Sequence, residues 1–284
     1  MTDTVVLVPL DGSKHALCAL PIAKRLAGLE KGDVRILHVA EKTGPPGETA
    51  ESLGLEPADL RGATLEVRAG NPAEAILAAA AEFEATLIVM CAHSADVRPA
   101  GAIGDAALAV LRGAHCPVVL VGPALATGDW ALRRVLAPHD GSPAVSRTLA
   151  PAAELARQAG AEFVVLQVAG DAHALEPGSI APPVYLDQFQ YSWPAWSAEF
   201  LQRLASICPL ADLRVRLRMG HGEPAAETIR VANEESADLI VLAWKGRWEA
   251  PHASTLRAVL GNATCPVMVT PARAASTVPT AEPR

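Results

Sequence analysis

The strongest constraint on the fold of this 284-residue chain is a strand-to-turn segment that it contains twice. Val6-Leu7-Val8-Pro9-Leu10-Asp11-Gly12-Ser13 returns as Val135-Leu136-Ala137-Pro138-His139-Asp140-Gly141-Ser142, 129 positions further on. In each copy a β-branched and Leu-rich run stops at Asp-Gly-Ser, and an Ala/Leu-rich helical pattern comes next. That predicts a buried strand, a tight turn and a helix. An Asp at the carboxyl end of a first parallel strand projects into the crevice where open α/β sheets bind ligands; Gly lets the backbone turn there, and Ser can cap the next helix. One such turn alone would be only a turn. Two copies with matched surroundings open two domains.

The rest of the chain keeps the same order in both halves. Strands are expected at residues 5–8, 34–39, 65–68, 87–90 and 116–121, and again at 135–137, 164–168, 213–217, 239–242 and 265–269. Helical patterns lie between them, including residues 14–29, 73–83 and 105–113. Alternating strands and helices imply parallel sheets with right-handed crossovers. Pro21 is expected to kink the first helix, and Gly44-Pro45-Pro46-Gly47 to start a loop rather than an element. The expected division is a first domain over 1–124, a linker over 125–132, a second domain over 133–272 and a tail over 273–284.

The second half is longer by 23 residues between its second and fourth strands, an insertion over about 170–212. It holds Tyr185, Phe189, Tyr191, Trp193, Trp196 and Phe200, six of the eleven aromatic residues. A helix over about 194–207 is expected there, either as a hydrophobic cap on the sheet or as a surface recognising a ligand or partner.

Composition narrows the classes. Half the residues are hydrophobic and 19% are charged, enough for two cores. A formal charge of −7 weighs against sequence-independent nucleic-acid binding, which draws on Lys and Arg to neutralise phosphates. Five cysteines without a CxxC spacing predict reduced thiols rather than a disulfide framework or zinc site. The apolar N-terminal run is broken by Asp11, Lys14 and His15, and the weakly charged stretch at 113–128 contains Pro and Gly. Neither a signal peptide nor a membrane span is expected, and the protein is read as cytoplasmic.

Each half resembles the universal stress protein family. The resemblance rests on the strand-Asp-Gly-Ser opening, on Leu37-His38-Val39, on Gly70-Asn71-Pro72 and Gly222-Glu223-Pro224 before a helix, on Leu87-Ile88-Val89-Met90 and Leu239-Ile240-Val241-Leu242, and on the closing Cys-Pro-Val strands. It implies two tandem five-stranded parallel α/β domains of the Rossmann-like, adenine nucleotide alpha hydrolase-like kind. It also implies an intrachain pseudo-dimer joined through the fifth strands, with a homodimer as a further possibility. In many members ATP, with its Mg, binds at the carboxyl edge of the sheet. Carried over to this chain, the nucleoside contacts are Asp11 and Asp140 with Gly12 and Gly141, and the adenine contacts are Val39 and Val168.

The family's phosphate loop, Gly-x2-Gly-x9-Gly-Ser/Thr, is altered in both halves. Its positions hold Cys91, Ser94, Gly104 and Asp105 in the first, and Ala243, Gly246, Ala253 and Ser254 in the second, where the loop is three residues shorter. Asp105 puts a carboxylate where a phosphate would meet a helix start. Trp244 and Trp248 flank Gly246 and could fill the triphosphate space. The remaining candidate contacts are Ser94, Gly104, Gly246 and Ser254.

Three functions remain open on the sequence. The first is a non-catalytic stress-response protein that binds ATP or another adenine nucleotide. The second is an interaction module without nucleotide, using the aromatic insertion. The third is an enzyme that hydrolyses or adenylates, although no general base is paired with a nucleophile and no Walker A or Gly-x-Ser-x-Gly motif occurs.

Overall fold

The computed structural model describes residues 4–40, 45–92, 103–122, 125, 129–169, 189–244, 246 and 251–272. The first half runs β1 (Val5–Leu10), a 3-10 turn (Ala16–Cys18), α1 (Ala19–Leu29), β2 (Asp33–Ala40), α2 (Pro46–Ser52), β3 (Ala63–Ala69), α3 (Pro72–Glu82), β4 (Leu87–Cys91), α4 (Asp105–Gly113) and β5 (Val118–Val121). The second runs β6 (Arg134–Pro138), α5 (Pro143–Thr148), α6 (Ala150–Ala159), β7 (Glu162–Ala169), α7 (Phe189–Ala205), β8 (Arg214–His221), α8 (Pro224–Glu234), β9 (Leu239–Trp244), α9 (Pro251–Asn262) and β10 (Val267–Pro271).

The ten strands among the described residues form one sheet in the order β3-β2-β1-β4-β5-β10-β9-β6-β7-β8. Neighbours within each half are parallel. The halves meet at β5 and β10, which pair antiparallel with Met268 opposite Val119, so the expected fifth-strand pseudo-dimer is present. Both of those side chains are fully buried, and the pairing covers two apolar edges that would otherwise invite aggregation. The free outer edges belong to β3 and β8, which carry charge. Arg68 pairs with Glu66 and Glu82, and Arg216 with Glu162 and Glu235.

Strand side chains alternate between two cores, as the pleat requires. Val6, Val8 and Leu10 pack with α1, α2, α6 and α7, whereas Leu7 packs with α3, α4, α8 and α9. The central strand β4 is buried along its whole length, which is why it reads as a continuous apolar run.

Two local expectations are corrected. Pro21 does not sit in a helix interior: the 3-10 turn ends at Cys18, α1 starts at Ala19, and Pro21 falls in the first turn of α1, where an N–H has no intrahelical partner to lose. Nor does Pro45-Pro46 open a plain loop. Pro45 is extended and Pro46 takes the first helical position of α2, for which its fixed φ is suited.

The insertion contributes α7, which begins five residues before the expected helix. Tyr185 lies outside the described residues, and at Phe189, Tyr191, Trp193 and Trp196 only the helical backbone is described. Phe200 is fully buried against the sheet, so at that residue the insertion acts as a cap.

Candidate ligand clefts

Both Asp-Gly-Ser turns have the same geometry. The Oδ1 of Asp11 accepts the Ser13 N–H and that of Asp140 accepts the Ser142 N–H, each at 2.9 Å. Gly12 and Gly141 sit at φ +87° and +81°, a region open to glycine at little cost. Each Ser then caps the next helical turn: Ser13 Oγ accepts from Ala16 N–H at 3.1 Å, and Ser142 Oγ from Val145 N–H at 3.3 Å. The turn fixes each aspartate, exposed, at the mouth of a cleft.

In the first half the cleft has a volume of about 110 Å³ and lies at the carboxyl ends of β1, β2 and β4. Asp11, Val39, Met90 and Cys91 line it together with Gly104 and Asp105 at the start of α4. Gly104 is the N-cap, its N–H bonded to the Ala92 carbonyl at 2.9 Å. Ser94 lies outside the described residues. Cys18 and Cys91 hydrogen-bond to each other behind this wall, and that contact, followed by burial, raises the Cys18 thiol far above its ordinary range. All five cysteines are free thiols.

The cleft of the second half is larger, about 200 Å³, and is lined by Asp140, Val168, Ala243, Thr228, Thr255 and His139 among others. Trp244 does not fill it. The indole is 5% exposed and belongs to the core under α8 and α9. Lys245, Arg247 and Trp248 lie outside the described residues. Gly246 has φ +80° and is not among the residues lining the cleft; Ser254 is exposed on α9. The wall is made instead by Thr255, because α9 begins three residues before the position equivalent to the start of α4. Pro251, at the first position of α9, is the sequence signal for that earlier start.

His139 separates this cleft from a second cavity of about 220 Å³ under α7. Its proton arrangement is set by its partners. Nδ1 accepts the Gly141 N–H at 2.8 Å, Nε2 donates to Ser146 Oγ at 3.0 Å, and the Ser146 hydroxyl donates to the Ser142 carbonyl at 3.0 Å. A backbone N–H only donates, so Nδ1 carries no proton and the ring is neutral. Burial pushes its pKa down to about 4, against a weaker opposing pull from the Asp140 carboxylate. The equivalent position in the first half is Leu10, 3% exposed. His38, by contrast, is tied through Nδ1 to the Leu10 carbonyl at 2.8 Å, a structural contact within the β1–β2 layer.

Among the described residues no group of three or more His, Cys, Asp or Glu side chains is placed to hold a metal ion. No described helix is long and apolar enough to cross a membrane.

Comparison with known proteins agrees with this architecture. The universal stress protein family matches residues 4–122 and 131–271. A curated relative from Thermus aquaticus, described as a universal stress protein in the QAH/OAS sulfhydrylase 3' region, is 34% identical, over 41% of this chain and 96% of its own. The crystal structure of a universal stress protein from Archaeoglobus fulgidus superposes with a TM-score of 0.66 at 19% identity, covering 96% of this chain and 100% of that one. A protein of unknown function from Pseudomonas aeruginosa PAO1 gives 0.67 at 17% identity, covering 95% and 93%. With two matches that together span most of its length, the chain belongs to the universal stress protein family and carries two of its domains in tandem.

Proposed function

We propose that the chain is a stress-response protein that binds an adenine nucleotide without turning it over, with the second-half cleft as the main site. The observation that carries this reading is that Asp140 and Val168 line one apolar cleft, as Asp11 and Val39 do in the other half. An apolar slot accepts a purine ring, and a fixed carboxylate at its mouth accepts ribose hydroxyls. At the phosphate end the halves differ. Thr255 offers a hydroxyl in the second, whereas Asp105 presents a carboxylate in the first and repels an anion there.

Binding rather than catalysis is supported by the Ser146–His139 pair. It is buried, and its Nε2 donates to the serine, so the ring is in no position to take the serine proton.

Denaturing the purified protein and identifying by mass the small molecules it releases, alongside titration with ATP, ADP and AMP, tests the proposal. Adenine nucleotide released or bound, and lost in Asp140→Ala, is the expected result. No binding at millimolar nucleotide overturns it, and steady ATP turnover by the pure protein overturns the non-catalytic part.

A further inference from the structure

Cys18 closes the 3-10 turn that follows the first Asp-Gly-Ser, and Cys91 ends β4. Far apart in the sequence, they are brought together by the sheet. Cys18 Sγ lies 3.8 Å from the Gly122 carbonyl oxygen, and Gly122 follows Val121, the partner of Cys91 in the β4–β5 register. The two thiols hydrogen-bond to each other there, and both pack in the core on the α1 side of the sheet. The second half has no such pair, because the same positions hold Arg147 and Ala243. Cys116 and Cys265 are counterparts in the repeat, but the antiparallel register of β5 and β10 carries them to opposite ends of that pairing.

The two sulfurs differ in what they can meet. Cys91 lines the first-half cleft beside Asp11 and Met90, so a molecule as small as a peroxide reaches it from that side. Cys18 stands behind it, half-buried. Contact with Cys91, followed by burial, holds the proton on the Cys18 thiol. Cys18 is therefore the donor of the S–H···S contact, and Cys91 is the sulfur with the greater thiolate character, the property that decides which cysteine an oxidant attacks.

We propose that Cys18 and Cys91 form an oxidation site at which a small peroxide produces one reversible disulfide. The Cys91 sulfur attacks a peroxide oxygen. Its S–O bond forms as the O–O bond breaks, and with hydrogen peroxide the second oxygen leaves as water, giving a sulfenic acid. The Cys18 sulfur then attacks the Cys91 sulfur: the S–S bond forms, the S–O bond breaks, and hydroxide leaves with the Cys18 proton as a second water. The two thiols lose two electrons and the peroxide gains them. Closing the sulfurs to about 2.05 Å requires movement only of a three-residue 3-10 turn, whose hydrogen bonds are poorer than those of an α-helix. The site is separate from the nucleotide proposal, since neither cysteine lines the second-half cleft.

Treatment of the full chain with hydrogen peroxide, followed by thiol counting and peptide mapping without reductant, tests it. Loss of two thiols per chain, a cross-linked peptide joining Cys18 to Cys91, and full recovery in dithiothreitol are expected. All five thiols surviving millimolar peroxide, a bond through Cys116, Cys208 or Cys265, or a bond between chains overturns the proposal. The wild-type protein decides this without any variant. In Cys18→Ser, dimedone is expected to label Cys91, whose sulfenic acid then has no second thiol to meet. Labelling of Cys18 in Cys91→Ser, with none of Cys91 in Cys18→Ser, overturns the order of the two steps.

Discussion

The ring of Phe200 meets that of His139 edge to face, with centroids 5.3 Å apart and planes at 82°. An insertion helix thereby buries a titratable group that the first half replaces with Leu10. The folded ring has a pKa of about 4 against the ordinary 6.5. Below pH 6.5 the unfolded chain binds the proton that the folded chain refuses. This contribution is therefore fully present above pH 6.5 and is lost as pH falls toward 4, by at most about 3 kcal/mol. Urea unfolding from pH 8 to 4.5 is expected to show that loss in the wild type and a flatter profile in His139→Leu. The variant also starts about 1–3 kcal/mol lower at pH 8, because the Gly141 N–H loses its acceptor.

Asp140→Ala and Asp11→Ala remove equivalent carboxylates from unequal clefts. ATP affinity is expected to fall at least about tenfold in Asp140→Ala, the loss of one charge-assisted hydrogen bond, and to change little in Asp11→Ala. Each is also expected to cost about 1 kcal/mol of stability through its Asx turn. Nucleotide titration and thermal melting of both variants separate the two effects.

Asp105→Ser tests whether the charge at the start of α4 keeps phosphates out of the first-half cleft. A second nucleotide site is expected to appear in titrations with ATP, with adenosine binding unchanged. The expected gain is about 1–2 kcal/mol from removing one repulsive contact at the edge of a partly buried site.

Gly32 is required for a close approach rather than for flexibility. A Cβ there would lie 2.4 Å from the carbonyl oxygen of Thr4, whose neighbouring bond from Asp33 N–H at 2.8 Å ties β2 to the start of β1. That oxygen is a backbone atom held in the β1–β2 pairing and cannot move aside cheaply, so Gly32→Ala is expected to destabilise by about 2 kcal/mol or more, measured by denaturant unfolding.

At the seam, Met268→Lys places an ammonium in a fully buried position opposite Val119. A loss of about 3–5 kcal/mol is expected, with self-association on size-exclusion chromatography as the β5 and β10 edges come free.

Much of this structure is legible in the sequence because parallel strands buried on both faces leave no polar alternation to confuse them; Leu87 to Met90 is the plainest case. The repeat then supplies each element with an internal control. The less legible parts depend on where helices begin. Pro46 and Pro251 each take the first position of a helix, and the second of these moves the cleft-lining hydroxyl from Ser254 to Thr255. Trp244 is illegible for a different reason: an aromatic beside a loop glycine can turn toward ligand or toward core, and only the packing of α8 and α9 on β9 decides. The buried His139–Ser146–Ser142 chain of hydrogen bonds is equally hidden, since it depends on Phe200, sixty-one positions away, closing over it.

Because β5 and β10 run antiparallel while every other pair runs parallel, the carboxyl ends of the two sets of strands lie on opposite rims of one sheet. The clefts built on those ends open in opposite directions. The cleft of about 110 Å³ lies at one rim and the cleft of about 200 Å³ at the other, and they share no lining residue, so a substitution in the wall of either leaves the wall of the other unchanged.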